Sequence, residues 1–313
     1  MTGVRDLRKN ALLVPFLVWL LIFILVPLGL IVYYGVTVEE PIPYEEVAQP
    51  DGSVLYQLSD GTLQEEEPWE TVRVFSLQNF SRVVEPMYLK LLVRSLRVAL
   101  YTTIICLLLS YPLALILTGR GFRRRNLFLM LIILPMWMNF LLRTYSWMSL
   151  LENSGLVNSL LEALGFARVQ FLYTEGAVVL GMVYNFLPFM VLPLYTVMEK
   201  IDHSLLEAAA DLGANPLKSF LRITLPFSLP GILEGVTMVF VPAVTTFVIS
   251  QLMGGGKVPL IGDIIQQQFG KANDWHFGST LSLLVMVVVL FFMYALGRAD
   301  KEEEEEKRGV RIL

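Results

Sequence analysis

The chain has 313 residues, of which 55% are hydrophobic and 17% charged, with a formal net charge of −4. A charged share so far below the roughly 25% of soluble domains excludes an ordinary water-soluble enzyme or a nucleic-acid-binding module and indicates an integral membrane protein. The single cysteine, Cys106, lies inside an apolar run, so an intrachain disulfide is excluded and the residue reads as packing.

Six apolar runs, each long enough to cross a bilayer, occupy roughly 11–36, 90–118, 127–150, 176–198, 231–252 and 277–297. The expected fold is all-α with six transmembrane helices. The first run is long and ends without a small-residue cleavage pattern, so it reads as a span and not as a cleaved signal. It is followed by a loop over 37–88 that carries ten acids and no base between Glu39 and Glu70. Asp51-Gly52 and Asp60-Gly61 flank Val54–Leu58, which predicts a small strand pair with tight turns. Residues 80–97 read as an amphipathic entry into the second span, with Lys90, Arg94 and Arg97 at the membrane surface.

The third span carries Pro135, Asn139, Arg143 and Trp147 at four-residue spacing, all on one helical face. Arg143 is expected to be structural, snorkelling toward the surface or pairing with Glu152. The fourth span places Tyr184 and Pro188 on one row and Asn185, Phe189 and Pro193 on the next. The fifth offers Phe247, Ser250 and Gln251 near its end. Gly254–Lys257 is not a phosphate loop, because residue 251 is Gln and residue 258 is Val where that motif needs Gly and Ser or Thr. An amphipathic helix is expected near Pro259–Phe269, and the acidic run Glu302–Glu306 reads as a solvated tail. No metal-ligand cluster or catalytic pair is visible, and no metal or cofactor is expected.

Lys and Arg are distributed unevenly. The N-terminus, the 119–126 loop, the 199–229 loop and the tail hold fifteen, and the alternate segments hold five. The positive-inside rule puts both termini and the 199–229 loop in the cytoplasm, and the 37–88 insert outside. The domains expected are therefore an N-terminal helix (1–36), an external acidic loop (37–88), a five-helix core (89–298) and a cytoplasmic tail (299–313).

The 199–229 loop holds the most informative stretch: Glu207-Ala208-Ala209-Ala210-Asp211-Leu212-Gly213, nine residues, then Ile223-Thr224-Leu225-Pro226. Locally it predicts a helix, a turn and a second helix. Ser204 and Glu207 form a capping box, Gly213 ends the first helix in a left-handed conformation, and Asn215-Pro216 starts the second. Pro226 and Pro230 are expected to stop that helix before the membrane run resumes.

This spacing resembles the cytoplasmic coupling motif of permease subunits in ATP-binding-cassette importers. Further stretches resemble the first of the two permease subunits of spermidine/putrescine importers. Among them are Leu134–Trp137, Arg143–Tyr145, Leu187–Met190, Leu192–Tyr195, Leu252–Lys257 and Asp274–Gly278. The resemblance extends over residues 75–297 and implies a type I importer permease fold in the bacterial cytoplasmic (inner) membrane. It also implies a second permease subunit, two cytoplasmic ATPase subunits and an external polyamine-binding receptor, with lipid around the helices. Coupling to the ATPase would fall to Glu207, Ala208, Ala209, Gly213, Pro216, Ile223, Leu225 and Pro226. A flexible polycation calls for carboxylates, amides and aromatic faces. Asn139, Tyr184, Asn185, Phe247 and Gln251 are the candidates for the substrate path, with Trp137, Tyr145 and Ser250 behind them. No carboxylate is expected near mid-membrane, since Glu152, Glu175 and Glu234 fall at span ends. A permease for another small organic solute and a non-transporting membrane scaffold are the competing readings.

Overall fold

The computed structural model describes residues 14–42, 44–48, 54–58, 63–64, 71–119 and 121–310. Among the described residues, five helices are long and apolar enough to span a membrane: α1 (Val14–Gly35), α3 (Pro86–Thr118), α7 (Glu175–Met198), α9 (Pro216–Thr245) and the Trp275–Arg298 part of α12 (Trp275–Val310). A further pair of helices passes the same test only when taken together, and it is bent. Its halves, Arg125–Trp137 and Phe140–Ala163, meet at 98°. The first half is α4 (Arg125–Ile133) with a 3₁₀ turn at Leu134–Trp137, and the second holds α5 (Phe140–Leu151) and α6 (Leu156–Ala163). The bend falls where Met138 and Asn139 turn extended, at ψ 148° and 130°. Between α1 and α3 lie β1 (Thr37–Pro41), β2 (Tyr44–Ala48), β3 (Val54–Leu58), β4 (Leu63–Gln64), β5 (Thr71–Phe75) and α2 (Gln78–Val83). The remaining elements are α8 (His203–Asp211), α10 (Val248–Gly254) and α11 (Ile261–Gln267).

The chain divides into two compact units, residues 1–86 with 265–286 and residues 87–264 with 287–313. In the first, the strand pair expected around 54–58 is present. Antiparallel β2 and β3 place Tyr44 opposite Leu58, and Tyr44 and Tyr56 meet edge to face. The flanking Asp-Gly turns lie outside the described residues. A second pair, β1 with β5, leaves the end of α1 and places Glu39 opposite Arg73. The Arg73 Nε atom lies 3.2 Å from Glu39 Oε1 and holds that carboxyl below its ordinary range. His276 Nδ1 contacts the Thr37 and Tyr34 carbonyl oxygens at 2.6 and 3.1 Å, and Thr280 Oγ1 donates to the Gly35 carbonyl at 3.1 Å. The 80–97 segment is not one helix, because α2 ends at Val83 and Pro86 opens α3 afresh, as a proline suits a first helical turn.

In the second unit, α7 and α9 pack closely over their length. Gly231 abuts the Pro193 carbonyl and Val197, and Gly235 abuts Met190. Small residues let the two backbones approach, which supplies dispersion contact where lipid gives no hydrophobic drive. Val98, Ala99 and Cys106 of α3, with Val178, Met182 and Leu194 of α7, fill the buried interior. The Cys106 thiol is buried beside the Val183 carbonyl, consistent with packing. The fifth span starts earlier and ends earlier than its hydropathy suggests. It finishes at Thr245, and the Phe247–Gln251 stretch opens the separate helix α10. The Glu302–Glu306 run continues α12 as helix.

Candidate functional site

The coupling segment folds as a helical hairpin built from local turn chemistry. α8 is capped by Asp202, whose side chain accepts from the Ser204 amide at 2.9 Å. The expected Ser204–Glu207 capping box is therefore not formed: an Asp two residues earlier takes the N-cap and places Glu207 in the helix body. At the other end, the Gly213 amide donates to the Ala210 carbonyl and the Ala214 amide to the Ala209 carbonyl, both at 2.9 Å. This is a Schellman closure, and it requires the left-handed φ of +78° that Gly213 adopts. Asn215 then caps the next helix through its side chain, which accepts from the Lys218 amide at 2.8 Å with Pro216 at the first turn.

Pro226 and Pro230 do not stop that helix. α9 runs from Pro216 into the membrane without a break, through a π turn at Phe220–Thr224 in which the Leu225 amide reaches back to the Phe220 carbonyl. Pro226 follows this widened turn directly, where the bonding register is already shifted, and its missing N–H interrupts little. Ile223, Leu225 and Pro226 are half-buried at the root, while Glu207, Ala208, Gly213 and Pro216 are exposed and Ala209 is half-buried. The root is tied to its surroundings. Tyr111 shares a 2.8 Å hydrogen bond with Ser228 and meets Phe220 edge to face, and Arg125 pairs with Glu199 at 3.0 Å. The tip is apolar and open: Leu212 is 89% and Leu217 64% exposed. A helical tip presenting bare leucines among charges has the character of a docking surface.

The residues expected along the path lie on neighbouring elements, since α5 packs on both α7 and α10. They do not form one contact set. Asn139 is exposed at the break and caps α5, its Oδ1 accepting from the Leu141 and Leu142 amides at 2.8 and 3.3 Å. Tyr184 meets Trp147 edge to face at 5.2 Å. Asn185 is buried; its Nδ2 donates to the Gly181 carbonyl at 2.8 Å, and its Oδ1 is unpaired. Phe247 and Tyr145 are partly exposed, and Trp137 is 88% exposed beside the break. Arg143 is buried and neither snorkels nor meets Glu152. Its Nη1 donates to the Pro135 carbonyl at 3.0 Å, across the break, and its guanidinium lies 6.0 Å from the Tyr184 ring.

The structure also reveals a carboxylate that the sequence reading passed over. Asp263, on α11, is buried at 4% exposure. Its Oδ2 accepts from the Leu260 amide at 2.7 Å and its Oδ1 from the Ser250 hydroxyl at 3.0 Å, with Gln251 also bonded to it. Burial pushes this carboxyl above its ordinary range, and the hydrogen bonds only partly oppose the shift. The Ile261 amide beside it donates to Ser95 Oγ at 2.8 Å. The one available signal was an acid in the first turn of an otherwise apolar short helix.

Five helices long and apolar enough to span a membrane, a bent helix pair, and an exposed helical hairpin leading into α9 fit a membrane permease of the binding-protein-dependent importer class. The chain belongs to the family of binding-protein-dependent transport system inner membrane components, whose pattern matches residues 110–299. It is a multi-pass transporter subunit of the inner membrane and not an enzyme. It is 42% identical over 230 residues to the spermidine/putrescine transport system permease protein PotB of Escherichia coli strain K12, covering 73% of this chain and 84% of that protein. The corresponding Haemophilus influenzae protein is 40% identical over 228 residues, covering 72% and 80%. Among solved structures, a bacterial alginate ABC transporter in complex with its alginate-bound periplasmic protein matches the fold. The TM-score is 0.73 at 16% identity, over 95% of both chains.

Proposed function

We propose that this permease forms half of a translocation path for polyamines, spermidine or putrescine, in an ATP-driven importer. The observation that carries the reading is the 42% identity maintained over 84% of the Escherichia coli spermidine/putrescine permease. In this reading the chain pairs with a second permease subunit and two cytoplasmic ATPase subunits, and an external receptor delivers the polyamine. Both termini and the 199–229 loop lie in the cytoplasm, which the bias of Lys and Arg supports. The exposed tip of α8 and Gly213 dock on an ATPase subunit.

Asn139, Tyr184, Phe247 and Gln251 face a cavity shared with the second permease, with Trp137 and Tyr145 at its margin, while Asn185 and Ser250, buried within the subunit, lie behind that surface. The supporting features are the aromatic pair Trp147–Tyr184, the amides on adjacent helices, and Asp263, which holds Ser250 and Gln251. Aromatic faces and amides suit a flexible polycation bound weakly in transit. Uptake of labelled spermidine and putrescine into proteoliposomes holding the whole complex, with receptor outside and ATP inside, tests the reading. ATP-dependent polyamine uptake is expected. Uptake of some other solute without polyamine uptake would overturn the substrate, and no uptake of any receptor-delivered solute would overturn the transport reading.

A further inference from the structure

On α3, residues 90, 94, 97, 101, 104 and 108 recur at three- and four-residue steps and form one stripe. Its character changes sharply along the helix: Lys90, Arg94 and Arg97 come first, then Tyr101, then Ile104, Ile105, Leu108 and Leu109. Beside the apolar part of the stripe lies a groove of about 660 Å³, lined by Tyr101, Ile104, Ile105, Leu109, Val179 and Val183, with Glu175 at its mouth. The α3 side of the groove is bare. Tyr101 is 47%, Ile104 44% and Leu109 52% exposed.

The mouth carries excess positive charge. Arg97 Nη2 reaches the Glu175 carboxylate oxygens at 2.8 and 3.0 Å, and Arg94 Nε lies 3.5 Å from the same group. That last contact is an ion pair in distance but lacks hydrogen-bond geometry, so Arg94 Nε is buried without an acceptor. One carboxylate thus faces two arginines, with Lys90 exposed one turn further along α3. The dimensions discriminate among occupants. From Arg97 to Leu109 the helix rises about 18 Å, at 1.5 Å per residue. That is close to half of a hydrocarbon core about 30 Å thick. The groove therefore spans one leaflet, starts at a cationic membrane surface and has an aromatic residue at the level where Tyr favours the interface.

We propose that this groove binds an anionic phospholipid, with its phosphate at Arg94 and Arg97 and one acyl chain along Tyr101–Leu109. The guanidinium groups supply charge-assisted donors to the phosphate oxygens, and the chain excludes other lipids from the groove between α3 and α7. The leaflet is the one at the Pro86 end of α3.

The whole importer complex, purified in mild detergent from native membranes, can be analysed by native mass spectrometry with quantitative lipid extraction. Retained phosphatidylglycerol or cardiolipin, enriched over the bulk membrane, is expected for the natural protein. Replacing both arginines, Arg94→Gln with Arg97→Gln, should lower that headgroup preference by roughly 30-fold, each cation contributing about fivefold. Ile105→Trp, at an exposed position that leaves the charge cluster intact, should displace lipid by filling the groove. If the complex and both variants carry the headgroup composition of the bulk membrane, the proposal fails. A cysteine at Leu109 that crosslinks to the second permease would also overturn it, by putting protein in the groove.

Discussion

Gly213 offers a test of the coupling hairpin in which fold and function separate cleanly. Its φ of +78° costs an L-residue strain, but a methyl group built at its Cα meets no heavy atom within 4 Å. The penalty inside the subunit is therefore conformational alone, about 1 kcal/mol for a side chain at a left-handed position, or roughly a fivefold shift in the local equilibrium. That backbone penalty is shared by Gly213→Ala and Gly213→Trp, because both carry a Cβ and the Cβ itself meets open space. If the melting temperatures of the two variants match, any further loss of coupling in the Trp variant is assigned to a partner surface that the indole strikes. Both variants should integrate into the membrane and lower the melting temperature of the purified subunit equally, by a few degrees at most. In proteoliposomes Gly213→Ala should retain most receptor-stimulated ATP hydrolysis and uptake, and Gly213→Trp should lose both. Normal stimulated hydrolysis in Gly213→Trp would refute the docking argument. Equal loss in both variants would place the defect in the hairpin's own fold.

Other outcomes follow from the same structure. Asp263→Ala strands the Leu260 amide, while Ser250 keeps the Phe247 carbonyl, and should destabilise the subunit by about 2 kcal/mol, measured by thermal unfolding in detergent, with Asp263→Asn recovering part of the loss. Because the Asp263 carboxyl is raised, its contribution is fully present below the ordinary carboxylate range and is lost as pH rises from there through the raised value; Asp263→Asn should flatten the decline in melting temperature over that window. Asn139→Ala should cost about 1 kcal/mol as a lost cap, while Asn139→Ser restores stability; if Ser also restores polyamine KM, the residue acts through the helix and not on substrate. Cysteines at Tyr184, Phe247 and Gln251 should react with a hydrophilic thiol reagent in a manner that changes with ATP, and silence at all three in every state would remove them from the path. Replacing 42–70 by a tight turn preserves the β1–β5 pair and should leave assembly and basal hydrolysis intact. It should slow uptake at limiting substrate in low salt only, since steering by an acidic field fades as ions screen it. An unchanged rate at every ionic strength would show the insert to be a tolerated loop.

The hairpin was legible because its signals are local: a glycine at a left-handed turn and an Asn-Pro cap act within four residues. Its upper boundary was not, because Asp202 and Ser204 are both competent caps and only the folded backbone selects between them. The prolines misled for a related reason. A proline ends a helix in the ordinary register, and the π turn at Phe220–Thr224 had already changed the register. In the third span, Pro135 and Asn139 stood out, but the 98° bend and the Arg143 hydrogen bond to the Pro135 carbonyl across it are features no periodicity reports. Asp263 was hidden because the loop that carries it looks external, and it is held in place by Ser250 and by the distant Ser95 bonded to the neighbouring Ile261 amide. The β1–β5 pair was hidden by sequence distance, with the entire acidic insert between its strands.

The unbroken helix from Pro216 to Thr245 gives the molecule a lever. At 1.5 Å per residue it is about 45 Å long, and it approaches α7 closely at Gly231 and Gly235. If α9 turned as a rigid body about that contact, about 26 Å of arm would lie toward the hairpin and about 18 Å toward the Phe247 end. A displacement of about 3 Å imposed at Pro216 would then become a counter-swing of about 2 Å at Thr245, by the ratio of the arms. The gearing would be slightly below one, so the subunit would trade travel for force at the end where Phe247, Ser250 and Gln251 begin.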